Sequence, residues 1–287
     1  MNMLHDDVIE RQRRYDGLSF AMIDMRMNPR LVHWVALVVF EVSASQPSFA
    51  ADFTADQVRQ LLSGPASSGL VDLRNRDLSD LDLSNIDFKR ADLSGANLFA
   101  SRLVSSNLAG AKLRRANLNG SWVMGTDFSG ADLSGSSMLG LVIQGGPVKE
   151  KPKLSRANLS GVRMIAELPG ADLAGADLSA ANLSVDMRNQ GMGQMRTDLS
   201  GANLAGADLH DANLSRSLMM FANLRGADLT NANLYRVKLS GADLTDANVK
   251  GADFAEADLD GTILKNVRGM EQAKGLDKAT NRDRAVY

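Results

Sequence analysis

Side chains able to do chemistry are few and poorly grouped. The chain has three histidines, His5, His33 and His210, and no cysteine. That removes disulfides, thiolate metal sites and cysteine nucleophiles. Only His210 lies beyond residue 50, and the expectation there is an isolated surface imidazole. Aspartates are plentiful but recur at fixed intervals, so pairing any two as an acid–base dyad is arbitrary. No Gly-rich phosphate loop and no strand-elbow nucleophile motif is present. The expectation is therefore a non-enzyme with no catalytic, cofactor or metal site. Met187, Met192 and Met195 offer thioethers that would suit Cu(I) in an oxidising compartment. Methionine is also ordinary gap-filling material.

The same aspartates reveal what positions them. From Val71 onward the chain has a period of five. A central residue i is Leu, Phe, Val, Met or Ile at 73, 78, 83 and onward to 143, at 154 to 183, and at 199 to 264. Position i−2 is usually Ala, i−1 Asp or Asn, and i+2 often Gly. An α-helix with this period would smear its central residues around the whole surface, since five steps do not close a turn. A straight strand would put i and i+5 on opposite faces. A chain that turns once per unit sends i−2 and i inward and i−1 outward, with i+1 and i+2 at the corner. Four right-angle corners close a square, so one coil is four units of five. The 36 units, in blocks of 15, 7 and 14, make about nine coils. Each buried Leu contributes roughly 1.5–3 kcal/mol, so the central residues alone can offset much of the ordering entropy. Asn and Asp at i−1 are placed to hydrogen-bond between coils.

The unit A-(D/N)-L-x-G over residues 71–264 resembles the pentapeptide-repeat proteins, whose consensus is A(D/N)LXX. The resemblance implies an all-β fold, a right-handed quadrilateral β-helix (solenoid). Short helical caps are expected at its ends, because a solenoid exposes unpaired edges there. Residues 51–70 read as the N-terminal cap. Thr54 and Gln57 fit a capping box, Val58, Leu61 and Leu62 share a face, and Gly64-Pro65 stops the helix. Residues 265–287 read as a C-terminal cap with a short helix and a frayed tail. Segments 144–153 and 184–196 leave the five-residue register and read as loops.

Residues 1–50 differ in composition and read as an N-terminal arm plus a secretory signal peptide. Arg30 precedes an apolar run over 31–42, and Ser48 and Ala50 place cleavage near 50/51. The run is too short for a stable membrane span, which needs about 20 residues. Against the signal stand Glu41 and the mixed charge before Met27, a second candidate start. Arg13-Arg14 is poorly placed for a twin-arginine signal. The export reading puts the protein in the periplasm or outside the cell; the alternative is a cytoplasmic protein with an N-terminal arm.

Charge argues against nucleic acid. The chain holds 34 acids and 32 bases; six of those acids and five of those bases precede residue 51, leaving 28 and 27. Residues 101–165 hold nine bases, among them Arg102, Lys112, Arg114 and Arg115, against three acids, but they fall on different faces and a loop. Some proteins of the resembled family bind DNA topoisomerases by presenting a strongly negative, DNA-like rod. That gives the alternative function, a cytoplasmic DNA-mimic inhibitor of a DNA-binding enzyme. Near-zero net charge fits it poorly.

The expected partner is instead a protein, or a second copy of the chain. Residues four units apart should stack on one face, which reads Asp82, Arg102, Trp122, Val142 at i−1. Beside it, Ser84, Val104, Met124 and the corner Ser79, Phe99, Asn119, Leu139 follow. Phe99, Val104, Trp122, Met124, Leu139 and Val142 are apolar where the unit expects polar residues. They form a candidate protein-contact patch, to be met by a partner, by self-association, or by the chain's own loop or arm. Leu218, Met220 and Phe221 form a smaller one. The reading as a whole is a non-enzymatic exported solenoid acting as a protein-binding or structural scaffold.

Overall fold

The computed structural model describes residues 51–64, 69–143, 150–185 and 196–287. The signal read over residues 1–50, Pro65, residues 144–149 and the three methionines of the copper reading lie outside the described residues.

Each five-residue unit ends in a β-turn. The N–H of the next i−2 residue donates to the C=O of i, as in Ala96 to Leu93 at 2.9 Å and Ala111 to Leu108 at 3.0 Å. Residue i+2 is left-handed, with φ of 70° at Gly95 and 64° at Gly130. This is why Gly recurs there: an L-residue with a side chain gives up about 1–2 kcal/mol in that conformation. Asn75, Arg115 and Phe221 occupy it nonetheless, at 57°, 56° and 59°. The Asp or Asn at i−1 first serves its own turn. Its Oδ1 accepts the N–H of i+1, as Asp77 does from Ser79 at 3.0 Å and Asn107 from Ala109 at 3.2 Å. Bonds between these side chains of successive coils are added where an Asn amide supplies the donor. Examples are Asn97 to Asp77 at 3.0 Å and Asn117 to Asn97 at 2.9 Å. Two carboxylates have no proton to share in this way.

The i−1 residues stack into four columns of parallel β-bridges, ten rungs each. The first column begins Asp72, Asp92, Lys112, Asp132 and the second Asp77, Asn97, Asn117, Ser137. The third begins Asp82, Arg102, Trp122, Val142 and the fourth Asp87, Asn107, Asp127, Lys153. Extended runs longer than one bridge are short: β1 (Val71–Asp72) pairs with β2 (Ala91–Asp92), and β3 (Ser137–Leu139) with β4 (Arg163–Ile165). The step between coils is at first four regular units, as from Asp77 to Asn97. It becomes 26 from Asp127 to Lys153, 19 from Lys153 to Asp172, 31 from Glu167 to Asp198, and regular again from Asp198 to Leu218. Insertions and a deletion thus change the chain length of a coil but not its four-column order. Lys153, read as loop, is back on the ladder.

Inside, the central residues are buried, with Phe88, Phe128 and Phe254 among the largest fully enclosed side chains. Ala at i−2 fills the space they leave. At several positions where Ser or Thr replaces it, the hydroxyl donates to a carbonyl of the preceding coil, as in Ser106 to Leu83 at 2.6 Å and Thr126 to Leu103 at 2.7 Å; buried Ser136 Oγ makes no such bond. A buried hydroxyl without such a partner would cost about 1–3 kcal/mol.

Before the first coil lies helix α1 (Ala55–Leu62), entered through the capping box of Thr54 and Gln57. Val58 is fully buried and Leu62 partly so, whereas Leu61 faces solvent. Asp52 pairs with both backbone groups of Asp77, and Arg59 Nη2 donates to the Asp82 carbonyl at 2.9 Å.

The C-terminal end differs from the expected helix and frayed tail. The helix reduces to a 3₁₀ turn over Met270–Gln272, with another over Arg282–Arg284. The segment instead forms a tenth coil with six-residue sides: Arg268, Lys274, Thr280 and Val286 each bridge the coil below. The place of the central Leu is taken by Gly269, Gly275 and Asn281, all left-handed. A Cβ on Gly269 or Gly275 would come within 2.7 or 2.5 Å of the backbone of the preceding coil. Met270 and Leu276 then pack partly onto the end of the core.

Candidate protein-contact face

The columns bring the sequence-predicted patch together. Trp122 bridges Arg102 below and Val142 above in the third column. Phe99 and Leu139 lie at the corner between the second and third columns, where their carbonyls accept from Asp80 and Gly120 of the preceding coil. Val104 and Met124 lie at the corner between the third and fourth, in the same kind of ladder. Phe99 is 49% exposed, and Trp122, Leu139 and Val142 are half-buried. Val104 and Met124 correct the expectation: they retain only 9% and 1% of their surface. Both lie outside the interior cluster. Stacked at a strand spacing of about 4.8 Å, aliphatic side chains in one ladder cover one another. The open part of the patch is therefore Phe99, Trp122, Leu139 and Val142. The Arg102 guanidinium lies 4.7 Å from the Trp122 ring, a cation–π contact worth about 0.5–1 kcal/mol at an exposed site.

The larger finding is that the smaller patch belongs to the same face. The third column continues past Val142 as Glu167, Asp198, Leu218, Lys238 and Asp258. Met220 and Phe221 lie at its far corner, Tyr235 at its near one. Within the described repeat residues, all four outward aromatics, Phe99, Trp122, Phe221 and Tyr235, belong to this column or its two corners. Ile165, Val185 and Leu218 do as well; Ile263, in the fourth column, is the exception. Phe221 is 73% exposed, and its ring covers Gly241 of the next coil. Tyr235 is flanked by Arg216 and Arg236, and Arg236 bonds Glu256 at 2.6 Å. A fixed count along the sequence missed the continuity because the step changes to 31 within this column. Counting every fourth unit would have kept it.

The first column is chemically opposite. Six of its rungs are Asp, and bases close by offset several of them. Arg74 lies 2.8 Å from Asp72, Lys112 3.9 Å from Asp92, and Arg114 3.6 Å from Asp132. The Arg74 guanidinium holds the Asp72 carboxyl well below the usual carboxylate range. His210, a half-buried member of this side, lies 2.6 Å from Asp208, whose hydrogen bond raises the imidazole pKa. Among the described residues no group of His, Asp or Glu could hold a metal ion. No helix there is long and apolar enough to cross a membrane.

Comparison with known proteins agrees with the repeat. A profile of the pentapeptide repeats matches in eight copies, within residues 70–140, 153–184 and 197–268, well over half of the chain. No curated protein matches. Among solved structures, the chain is similar to HetL, a pentapeptide repeat protein involved in heterocyst differentiation regulation in the cyanobacterium Nostoc. The two are 30% identical over 77% of this chain and 95% of that one, with a TM-score of 0.36. It is also similar to QnrB1, a plasmid-mediated fluoroquinolone resistance protein: 19% identity over 62% of this chain and 92% of that one, TM-score 0.35. A third is a pentapeptide repeat protein of the Arabidopsis thaliana thylakoid lumen: 28% identity over 38% of this chain and 66% of that one, TM-score 0.22. By its repeats this chain belongs to the pentapeptide repeat family of non-enzymatic scaffolds.

Proposed function

We propose that the chain is an exported scaffold that binds a protein along its third column. In this reading the four columns close as a right-handed quadrilateral β-helix, with α1 as its N-terminal cap. The observation that carries the contact reading is the confinement of the outward aromatics to one column. Aromatic side chains bring large contact area at low entropic cost and are enriched where proteins meet. Export is supported by Arg30, the apolar run 31–42 and the small residues before Ala51. A DNA-like rod is disfavoured, because the column richest in Asp carries its own bases.

The absence of native cysteine makes the test clean. A photo-crosslinker is attached at Trp122→Cys, or at Asp132→Cys on the first column, and irradiated in native cells. One discrete protein adduct from position 122 and none from 132 is expected; equal labelling from both would sink the contact face. Trp122→Asp should abolish the association with little change in thermal stability. Intact mass from fractionated cells reads export: a chain starting at Ala51 in the exported fraction is expected, and a full-length cytosolic chain would overturn it.

A further inference from the structure

The third column has ten rungs, from Asp82 to Thr280, with Glu167 fifth and Asp198 sixth. None of these ten residues is buried. Turned end over end about its middle, the column meets its own sequence in reverse, rung one on rung ten, two on nine, and so inward. The chemistry then matches. Arg102 meets Asp258, the Trp122 ring meets the Lys238 ammonium, and Val142 meets Leu218. A two-fold axis in the plane of the face also sets each corner against itself, so Ile165 of the fifth coil meets Val185 of the sixth. Leu218 comes over the open cleft of about 270 Å³ at Val142 and Ile143, with the exposed Phe221 beside it. Ile143 is the one central residue of the described repeats that is not buried. One pair is unfavourable: Glu167 faces Asp198, with Arg196 in the lining of the same cleft.

Other arrangements of the column on itself fail on charge. One rung of slip sets Arg102 on Lys238 and Asp82 on Asp258 in one direction, and Trp122 on Asp258 and Val142 on Lys238 in the other. Parallel pairing sets every rung on its own kind, and six of the ten are charged. The same end-over-end turn brings no apolar rung against another in the other three columns, and in the first it sets Asp132 on Asp208. We propose that the third column is a self-complementary surface whose partner is a second copy of this chain, antiparallel, in the register of Arg102 with Asp258. The inference rests on the contact-face reading and names the protein that the face binds. In such an isologous pair every contact is made twice. Arg102 already lies 4.7 Å from the Trp122 ring, and Lys238 3.3 Å from Asp258. Each end of the pair therefore becomes one cluster of two cations, a carboxylate and an aromatic ring, with cation–π contacts from both sides. At a strand spacing of about 4.8 Å, the face is about 43 Å long and, at three to four extended residues per side, about 12 Å wide. Two such faces bury on the order of 1,000 Å², the least that a specific interface needs. The pair belongs to the weak, concentration-dependent class.

The full chain is followed by light scattering over a concentration series, and a monomer–dimer equilibrium is expected. Arg102→Asp or Asp258→Arg alone should weaken the dimer about tenfold, because each sets like charges together twice. The double variant should restore it. Within one chain the two residues stand seven rungs apart, the second and the ninth, so neither misfolding nor an intramolecular contact can imitate that rescue. The register is read by disulfide formation, in a chain with no native cysteine. Val142→Cys chains mixed with Leu218→Cys chains should link on mild oxidation, and neither should link to itself. A chain that stays monomeric overturns the proposal. So does a dimer indifferent to the charge reversals, a cysteine mixture that does not link, or a Val142→Cys chain that links to itself. If position 122 crosslinks in cells to a different protein while the chain is monomeric, the contact face stands and self-pairing falls. An adduct from position 122 with twice the mass of the chain supports both.

Discussion

The first and third columns are built from the same five-residue unit and do opposite things with it. In the first, Asp92, Asp132, Asp177, Asp208 and Asp228 each accept the N–H of their own turn, and the ladder is unbroken. In the third, Trp122, Val142 and Leu218 stand where that acceptor belongs and have none to offer. Each such replacement gives up a hydrogen bond worth about 0.5–1.5 kcal/mol. The fold does not ask for this, since the first column shows that the unit closes well with Asp. Stability has been given up at these three rungs, and Trp122 among them is of the type enriched at protein-contact hot spots.

The largest effect that can test this contrast lies inside the wall. Leu133, central in the first column, is fully buried, whereas Ile143, its counterpart on the third side of the same coil, is not. Leu133→Ala should destabilise by about 2–5 kcal/mol, as transfer and cavity terms add. Ile143→Ala should lose less than that, because Ile143 packs against the core but is only partly buried. Urea unfolding of the two variants decides. Equal losses would mean that Ile143 is as enclosed in solution as Leu133.

A smaller effect concerns the turn acceptor itself. Asp132 accepts from the Ser134 N–H at 3.2 Å and from its hydroxyl at 2.7 Å. Asp132→Ala should cost about 1 kcal/mol. Trp122→Asn restores an acceptor where the third column lacks one. It should leave the melting temperature near the parent value, because the gained bond offsets the lost contact with Arg102. If Trp122→Asn proves as damaging as Leu133→Ala, Trp122 is structural packing and the contrast between the columns fails.

How much of this was legible follows from what each feature depends on. The four-sided coil could be read because central Leu, Ala at i−2 and Gly at i+2 are local requirements repeated many times. The capping box at Thr54 and Gln57 is local too, and it formed. The tenth coil was missed because Gly269, Gly275 and Asn281 replace the Leu that marks a unit, and its sides are six residues long. At a fixed spacing of twenty residues the patch at Trp122 was legible only as far as the regular block reached. Its continuation to Leu218 and Phe221 depends on how two insertions and a deletion are absorbed, and the ladders settle that. The burial of Val104 and Met124 depends on neighbours one coil away, which a positional pattern does not weigh.

The smallest effect belongs to the first column and is a titration. His210 Nδ1 and Asp208 Oδ1 are 2.6 Å apart, and that bond, with Asp211 and Asp228 nearby, favours the imidazolium. A folded pKa above the unfolded value contributes stability that is fully present below the unfolded pKa of about 6.5. The contribution disappears as pH rises through the raised folded value. Asp208→Asn should therefore move the His210 midpoint down toward its ordinary value in an NMR titration. It should also remove a slight stability advantage on the acid side of that window, leaving alkaline stability unchanged. About half of the side chain is open to solvent, so added salt should shrink the shift in the parent. A midpoint that ignores both the substitution and the salt would show that the pair does not hold together in solution. The first column would then owe its order to turn acceptors alone, which sharpens the contrast with a third column that has given up several of them.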